Sequence, residues 1–265
     1  MSDAAQEAMF RKPAEAYDRF VGRYGSALAR DLIVAAGVQR GQRVLDVGCG
    51  PGALTAELVA LLGADAVAAV DPSEPFAAAC RDRHRDVDVE VAAAESLPFE
   101  DGSFDRALSQ LVVNFMSDAR AGVAEMRRVT RPGGAVAAAV WDYAGEMTLL
   151  RRFWDSAVAL DPAAADRDEG RCMAFCAPEE LGELWLAANL EEVDVGPVVV
   201  SAAYDDFDDL WQPLEAGVGP AGAYAAGLEP GARAALKDEL RSRLGVGAAP
   251  FELSARAWVV TGAVR

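Results

Sequence analysis

The sequence predicts an α/β protein built on a doubly wound, mostly parallel sheet. Three observations lead there. Val44 to Thr55, VLDVGCGPGALT, reads as a buried strand, a glycine-rich turn and the start of a helix. From Gly41 to Tyr143 short apolar runs of strand length alternate with helical patterns, and right-handed crossovers then make the strands parallel. Ala66 to Val70 is continuously apolar, as a strand covered on both faces must be.

Residues 4 to 20 are helix-like, with Met9, Phe10, Tyr17 and Phe20 as bulky members and Pro13 as a break. Tyr17, Phe20 and Tyr24 give the segment one packing face. A helix from about Gly25 to Ala36 ends at Gly37, a residue suited to the turn past a helix end. In the first strand Val44, Leu45 and Val47 are apolar, and Asp46 is the one polar interruption. Gly48, Gly50 and Gly52 follow, with Cys49 among them, and each lacks the Cβ that would hold a ligand off the main chain. Leu54, Leu58, Leu61 and Leu62 make one apolar helix face, closed by Gly63. The second strand ends in Asp71, and Pro72 and Ser73 start the next helix. Val87 to Val91 alternates apolar and charged residues, marking a strand with one wet face at the sheet edge.

Phe104 to Gln110 is the fourth strand, Ser117 and Asp118 open a helix, and Arg131-Pro132-Gly133-Gly134 turns into a fifth strand ending at Trp141. Ligands of open α/β sheets bind beyond the carboxyl ends of the strands. Gln110 and Asn114 are therefore the polar side chains best placed to meet a substrate, with helix and loop capping as the competing reading. Leu149, Leu150, Phe153, Trp154, Ala157 and Leu160 form a helix too apolar for a simple surface element. Residues 161 to 176 read as a polar, mobile loop. Pro178 opens a packing helix with Leu181, Leu184, Trp185 and Ala188, and Val193 to Ala203 is a sixth strand. Tyr204, Phe207, Leu210 and Trp211 share one helical face, opposite Asp205, Asp206, Asp208 and Asp209. Gly217 to Gly231 takes no assignment, Ala232 to Leu244 is helical, and Phe251 to Val260 is a last strand.

At 265 residues the chain is long enough to bury a full core. Its net charge of -17 repels polyanions, so a small-molecule substrate is expected and nucleic acid is not. No apolar run reaches transmembrane length and no basic segment leads an apolar one, so a cytoplasmic protein without membrane attachment is expected. Four cysteines, Cys49, Cys80, Cys172 and Cys176, make no disulfide framework in a chain this long. No metal is expected either: Cys172 and Cys176 lack a second ligand pair, and the acidic run reads as a solvated helix N-terminus. Arg81, Arg83, His84 and Arg85 read as a solvated helix end.

Two ligand classes fit the glycine turn. As G-x-G-x-x-A it matches the weaker dinucleotide fingerprint. Asp46 argues against that, because a carboxylate at the strand end repels a pyrophosphate and welcomes a cation. Asp71, 19 residues after Gly52, suits a carboxylate accepting both ribose hydroxyls in either case.

VLDVGCGPG resembles the first motif of the class I S-adenosylmethionine (SAM) methyltransferases, among them the small-molecule enzymes of ubiquinone- and menaquinone-biosynthesis type. Further matches follow in family order: Ala66 to Phe76, Ala92 to Asp105 and Arg127 to Val136. The resemblance spans about residues 14 to 145 and implies SAM as cofactor, with S-adenosylhomocysteine as product. It implies a Rossmann-like sheet of seven strands with an antiparallel last strand beside the fifth, preceded by N-terminal helices. One domain over residues 1–265 is expected: helices over 1–40, a cofactor-binding core over 41–143, and a helical cap with the final strands over 144–265. The turn from Asp46 through Gly48, Cys49, Gly50 and Gly52 would carry the methionine part, Asp71 the ribose, and Pro72 and Ser73 the adenine. Tyr17 and Arg23 would lie over the cofactor near its carboxylate. Relatives place an Asp where this chain has Ala93, so the adenine amino group would turn to the Glu95 side chain, the Ala94 carbonyl or water. Gln110 sits toward the cofactor's methyl group.

Methyl transfer needs in-line positioning and water exclusion more than any catalytic group. The one histidine, His84, lies in topology far from the strand ends, which disfavours a His-assisted O-methyltransferase. Asp142, Tyr143 and Tyr17 are the remaining base candidates. The expected acceptor is small and apolar or aromatic, in a pocket lined by Asn114, Phe115, Trp141, Tyr143 and Trp154, with residues 144–176 and the Tyr204 to Trp211 segment as a lid. A monomer or homodimer is expected. Two alternatives stand beside this reading: a protein that binds SAM or S-adenosylhomocysteine without methylating, and a nucleotide-dependent oxidoreductase.

Overall fold

A computed structural model describes residues 18–265. Tyr17 and the helix expected upstream of it lie outside the described residues. Seven strands form one sheet in the order β3-β2-β1-β4-β5-β7-β6. They are β1 (Val44–Val47), β2 (Val67–Asp71), β3 (Asp88–Val91), β4 (Phe104–Gln110), β5 (Thr130–Trp141), β6 (Glu191–Tyr204) and β7 (Phe251–Ala263). The first five are parallel neighbours, and β7 returns antiparallel to β5, pairing Trp141 with Ala257 and Ala135 with Ala263. Alternating Asp88–Val91 stands at the sheet edge as its pattern requires, while β1 and β2 are buried at every position. Among the described residues no helix is long and apolar enough to cross a membrane.

The chain divides into two compact units. The first comprises Gly25–Trp141, Ala174–Val198 and Ala257–Arg265. It holds helices α1 (Gly25–Ala35), α2 (Ala53–Leu62), α3 (Glu74–Arg83) and α4 (Ala119–Val129). Asp118 starts α4 by accepting from the Ala121 amide at 3.0 Å, and Trp185 fixes a later helix by donating to the Val136 carbonyl at 3.1 Å.

The second unit holds, among the described residues, 18–24, 142–173 and 199–256. Its core is aromatic. Trp154, on helix α5 (Thr148–Leu160), is 1% exposed and packs edge-on against Phe153, with Tyr224 tilted 5.4 Å away. Phe207, Leu210 and Trp211 are buried on the helix Phe207–Glu215. Tyr204 is not on that helix: it ends β6, because Asp206 caps the helix by accepting from the Asp209 amide at 2.8 Å. The glycine-rich stretch left unassigned forms a helix at Gly219–Gly227, followed by another at Pro230–Leu244.

Residues 161 to 176 are the main correction. Instead of a mobile loop they form a 3₁₀ turn, Pro162–Arg167, and a short helix, Glu169–Cys172. Asp168 and Glu169 are 1% and 3% exposed. Arg151 of α5 grips Asp168 through two nitrogens, at 3.1 and 2.7 Å, and the Trp154 indole donates to Glu169 at 2.9 Å. Charges that look solvated in sequence are buried because the preceding helix supplies their partners.

Burial pushes the Glu169 carboxyl up to about 7 from an ordinary 4.5, with the Trp154 hydrogen bond opposing. A carboxyl raised on folding favours the folded state while neutral and loses that contribution as pH rises through 4.5 toward 7. Glu169→Gln is therefore expected to flatten the fall in unfolding free energy between pH 5 and pH 8, by about 3 kcal/mol at the upper end. Urea unfolding of both proteins across that range checks it, and parallel curves would count against it.

Candidate functional site

The glycine turn joins β1 to α2 in the first unit, and its conformation follows from its residues. Gly48, Gly50 and Gly52 have φ of 76°, 53° and 99°, all in the left-handed region. The amides of Gly48 and Cys49 both donate to the Val70 carbonyl, at 2.8 and 2.9 Å, which ties the turn to β2. The three glycines serve different ends. A Cβ at Gly48 would meet Val112 at 2.5 Å, and one at Gly52 would meet His84 at 2.9 Å and the Cys80 sulfur at 3.1 Å. Only at Gly50 would it enter open space. Gly48 and Gly52 are thus also demanded by packing, whereas Gly50 leaves a cradle above the turn.

Two buried carboxylates flank that cradle at the ends of adjacent parallel strands. Asp71 accepts from the Gly50 and Ser73 amides, both at 2.8 Å, and burial raises its carboxyl to about 6 against those two bonds. Asp46 is fully buried. Its Oδ2 accepts from the Thr55 hydroxyl at 2.6 Å, while Oδ1 has no hydrogen-bond partner. Burial, with the Asp71 charge adding to it, raises Asp46 to about 7. Ser109 Oγ and Gln110 Oε1, at the end of neighbouring β4, are likewise buried without a partner. Gln110 spends its amide nitrogen on the Gly25 carbonyl at 3.1 Å, so only its oxygen remains to be met. Unsatisfied acceptors of this kind cost stability unless a donor or cation meets them.

The other expected residues are distributed as follows. Glu95 accepts from the Asp118 amide at 3.0 Å and so supports the start of α4, while Ala94 is buried near Gly122. Asn114 and Phe115 lie in the 3₁₀ turn Val113–Phe115 after β4, and Trp141 ends β5, all in the first unit. Arg23, Asp142, Tyr143 and Trp154 belong to the second unit. There Arg23 donates to the Ala203 carbonyl at 3.1 Å, pairs with Asp209 and lies over the Tyr204 ring. Asp142 takes Arg256 Nε at 2.9 Å and Nη2 at 2.6 Å, plus the Glu146 amide at 2.7 Å. Tyr143 is buried. The acidic run is also engaged: Asp206 caps its helix, Asp208 pairs with Lys237 at 2.7 Å and Asp209 with Arg19 and Arg23. Among the described residues no His, Cys, Asp and Glu cluster is suited to a metal ion.

Several participants escape sequence reading. Thr55 is the one hydroxyl in the apolar helix ALTAELVALL, and that oddity could have flagged it. Ser109 is a similar signal in β4. The Arg81 to Arg85 cluster is not simply solvated: Arg81 donates to the Val89 carbonyl at 2.9 Å, Arg83 to Pro51 at 3.1 Å, and His84 Nε2 lies 3.2 Å from the Gly52 carbonyl. His84 is thus against the glycine turn, although chain order puts it far from the strand ends.

Comparison with known proteins places these features in a family. A methyltransferase domain matches residues 45–138, the span from β1 through most of β5. A malonyl-[acyl-carrier protein] O-methyltransferase of Erwinia billingiae is 34% identical over 127 residues, covering 48% of this chain and 49% of that protein. A demethylmenaquinone methyltransferase of Beutenbergia cavernae is 40% identical over 110 residues, covering 42% and 45%. This chain thus spans about half the length of the curated relatives it matches. Among solved structures, a type II methyltransferase assigned provisionally in Anaeromyxobacter dehalogenans superposes with a TM-score of 0.65 at 25% identity, over 91% of this chain and 96% of that one.

Proposed function

Since residues 45–138 belong to the methyltransferase domain family, we infer that the protein is a SAM-dependent methyltransferase acting on a small, apolar or aromatic acceptor. The observation that carries this reading is the pair of buried carboxylates, Asp46 and Asp71, on either side of the open cradle at Gly50. A pyrophosphate there would face both negative charges, whereas a cationic sulfonium or ammonium group would satisfy Asp46 Oδ1 and favour its ionised form. SAM supplies an electrophilic methyl group on such a sulfonium. Asp71 holds the ribose hydroxyls on lone pairs left over from its two amide bonds. Pro72 and Ser73, with the Ala94 carbonyl, line the adenine side. Gln110 Oε1 and Ser109 Oγ meet polar groups at the end of β4, and Asn114, Phe115 and Trp141 are the acceptor-side residues of the same unit.

No general base is assigned. Asp142 is committed to Arg256, and Tyr143 and Trp154 are buried in their own unit. The chain's contribution to the reaction is therefore orientation and water exclusion, which suits an acceptor at carbon, nitrogen or an already acidic oxygen.

Calorimetry with SAM, S-adenosylhomocysteine and NAD in parallel tests the cofactor: binding of the first two without NAD is expected, and the reverse preference would overturn the reading. Methyl transfer from radiolabelled SAM to a panel of small acceptors separates an enzyme from a non-methylating binder. Asp71→Ala is expected to weaken SAM binding by about 1.5 to 3 kcal/mol, the range for bonds to a charged acceptor. Unchanged affinity in that variant would remove Asp71 from the site.

A further inference from the structure

The thiols of Cys49 and Cys80 have no part in the function above, yet they sit at the back of the same turn. The last turn of α3 lies against it through three side chains. Arg83 donates to the Pro51 carbonyl at 3.1 Å, His84 Nε2 is 3.2 Å from the Gly52 carbonyl, and a Cβ on Gly52 would stand 3.1 Å from the Cys80 sulfur. Cys80 Sγ also donates to the Thr55 hydroxyl at 3.7 Å, and Cys49 Sγ to the Gly50 carbonyl at 3.5 Å. The two thiols hydrogen-bond each other. That bond pushes the Cys80 thiol down and the Cys49 thiol up, burial adding to the rise at Cys49.

We propose that Cys49 and Cys80 form a reversible disulfide when the protein meets a peroxide, and that this bond closes the cofactor site, a role that rests on the SAM reading. In the first step the Cys80 thiolate attacks the peroxide: an S–O bond forms, the O–O bond breaks, and the departing hydroxide takes up a proton as water. Cys49 sulfur then attacks Cys80 sulfur, forming S–S and breaking S–O, and the released hydroxide leaves as water with the Cys49 proton. Two thiols and one peroxide thus give one disulfide and two waters.

The closure follows from which partner yields. A disulfide draws its sulfurs to about 2.0 Å, well inside thiol contact distance. Cys80 is held in a helix between buried neighbours Phe76 and Ala77, whereas Cys49 is flanked by Gly48 and Gly50, the most deformable residues of the turn. The turn therefore moves, and the first bond affected is that between the Gly50 amide and Asp71. Linkage makes the effect reciprocal, so bound SAM should protect the pair from oxidation.

The test uses the full chain carrying Cys172→Ser and Cys176→Ser, so that Cys49 and Cys80 are the only thiols left. Hydrogen peroxide is added, cross-linked peptides are mapped by mass spectrometry, and SAM affinity is measured by calorimetry before oxidation, after it and after dithiothreitol. A Cys49–Cys80 peptide is expected, with affinity lowered about tenfold or more, within the usual span of coupling between sites, and restored by dithiothreitol. The same protein with Cys80→Ser should keep its affinity under peroxide. Absence of the cross-link, or a cross-link with unchanged affinity, would overturn the proposal. Failure of the reduced protein to bind SAM would instead bring down the cofactor reading and with it the closure, while the peptide map would still decide whether the bond forms.

Discussion

Trp154→Ala is expected to lower the unfolding free energy by about 3 to 5 kcal/mol, the usual cost of truncating a buried aromatic. The indole fills the centre of its unit's aromatic cluster and is the hydrogen-bond partner of Glu169. Its removal leaves a cavity and a buried carboxyl without its donor. Urea unfolding at pH 6, where Glu169 is mostly neutral, isolates the cavity contribution; repeating it at pH 8 adds the cost of the unpartnered charge. A loss below about 1 kcal/mol would show that Trp154 is a dispensable wall residue and not core.

Gly50→Val is expected to reduce SAM affinity by about a hundredfold or more, on the order of 3 kcal/mol. The new side chain would fill the open space above the turn. Because φ at Gly50 is 53°, a β-branched residue is also strained there, and about 1 to 2 kcal/mol of stability should be lost independently of the ligand. Gly50→Ala separates the two effects, carrying similar backbone strain with less bulk. Circular dichroism establishes that each variant is folded and calorimetry reports binding. A folded Gly50→Val protein that binds SAM normally would mean that the cofactor lies elsewhere.

Strand assignments from Val44 to Trp141 follow from local pattern alone, since each strand is a short apolar run whose burial is set by its sheet position. The edge position of Asp88–Val91 is legible for the same reason. The antiparallel return of β7 came only from family resemblance, because nothing in Phe251–Ala263 states its direction. What stayed hidden depends on partners distant in sequence. Asp168 and Glu169 look solvated until Arg151 and Trp154 are seen to claim them. Tyr204 fits a helical period, yet the cap at Asp206 decides where the helix starts. His84 and Thr55 joined the site through packing of α3 and α2 that no periodicity encodes. Asp46, Asp71 and the three glycines were legible because their spacing along one strand–turn–helix unit is itself the signal.

The pairing of β5 with β7 has a consequence for biosynthesis. A ribosome delivers β5 long before β7, so the growing chain carries Ala135 to Trp141, seven apolar or small residues, with one backbone edge unpaired until Ala257 to Ala263 emerge. An edge of that kind is a template for pairing with another chain. Aggregation of nascent or C-terminally truncated protein should therefore begin at β5, and a chaperone that masks extended apolar segments would act most usefully during the interval between the two strands.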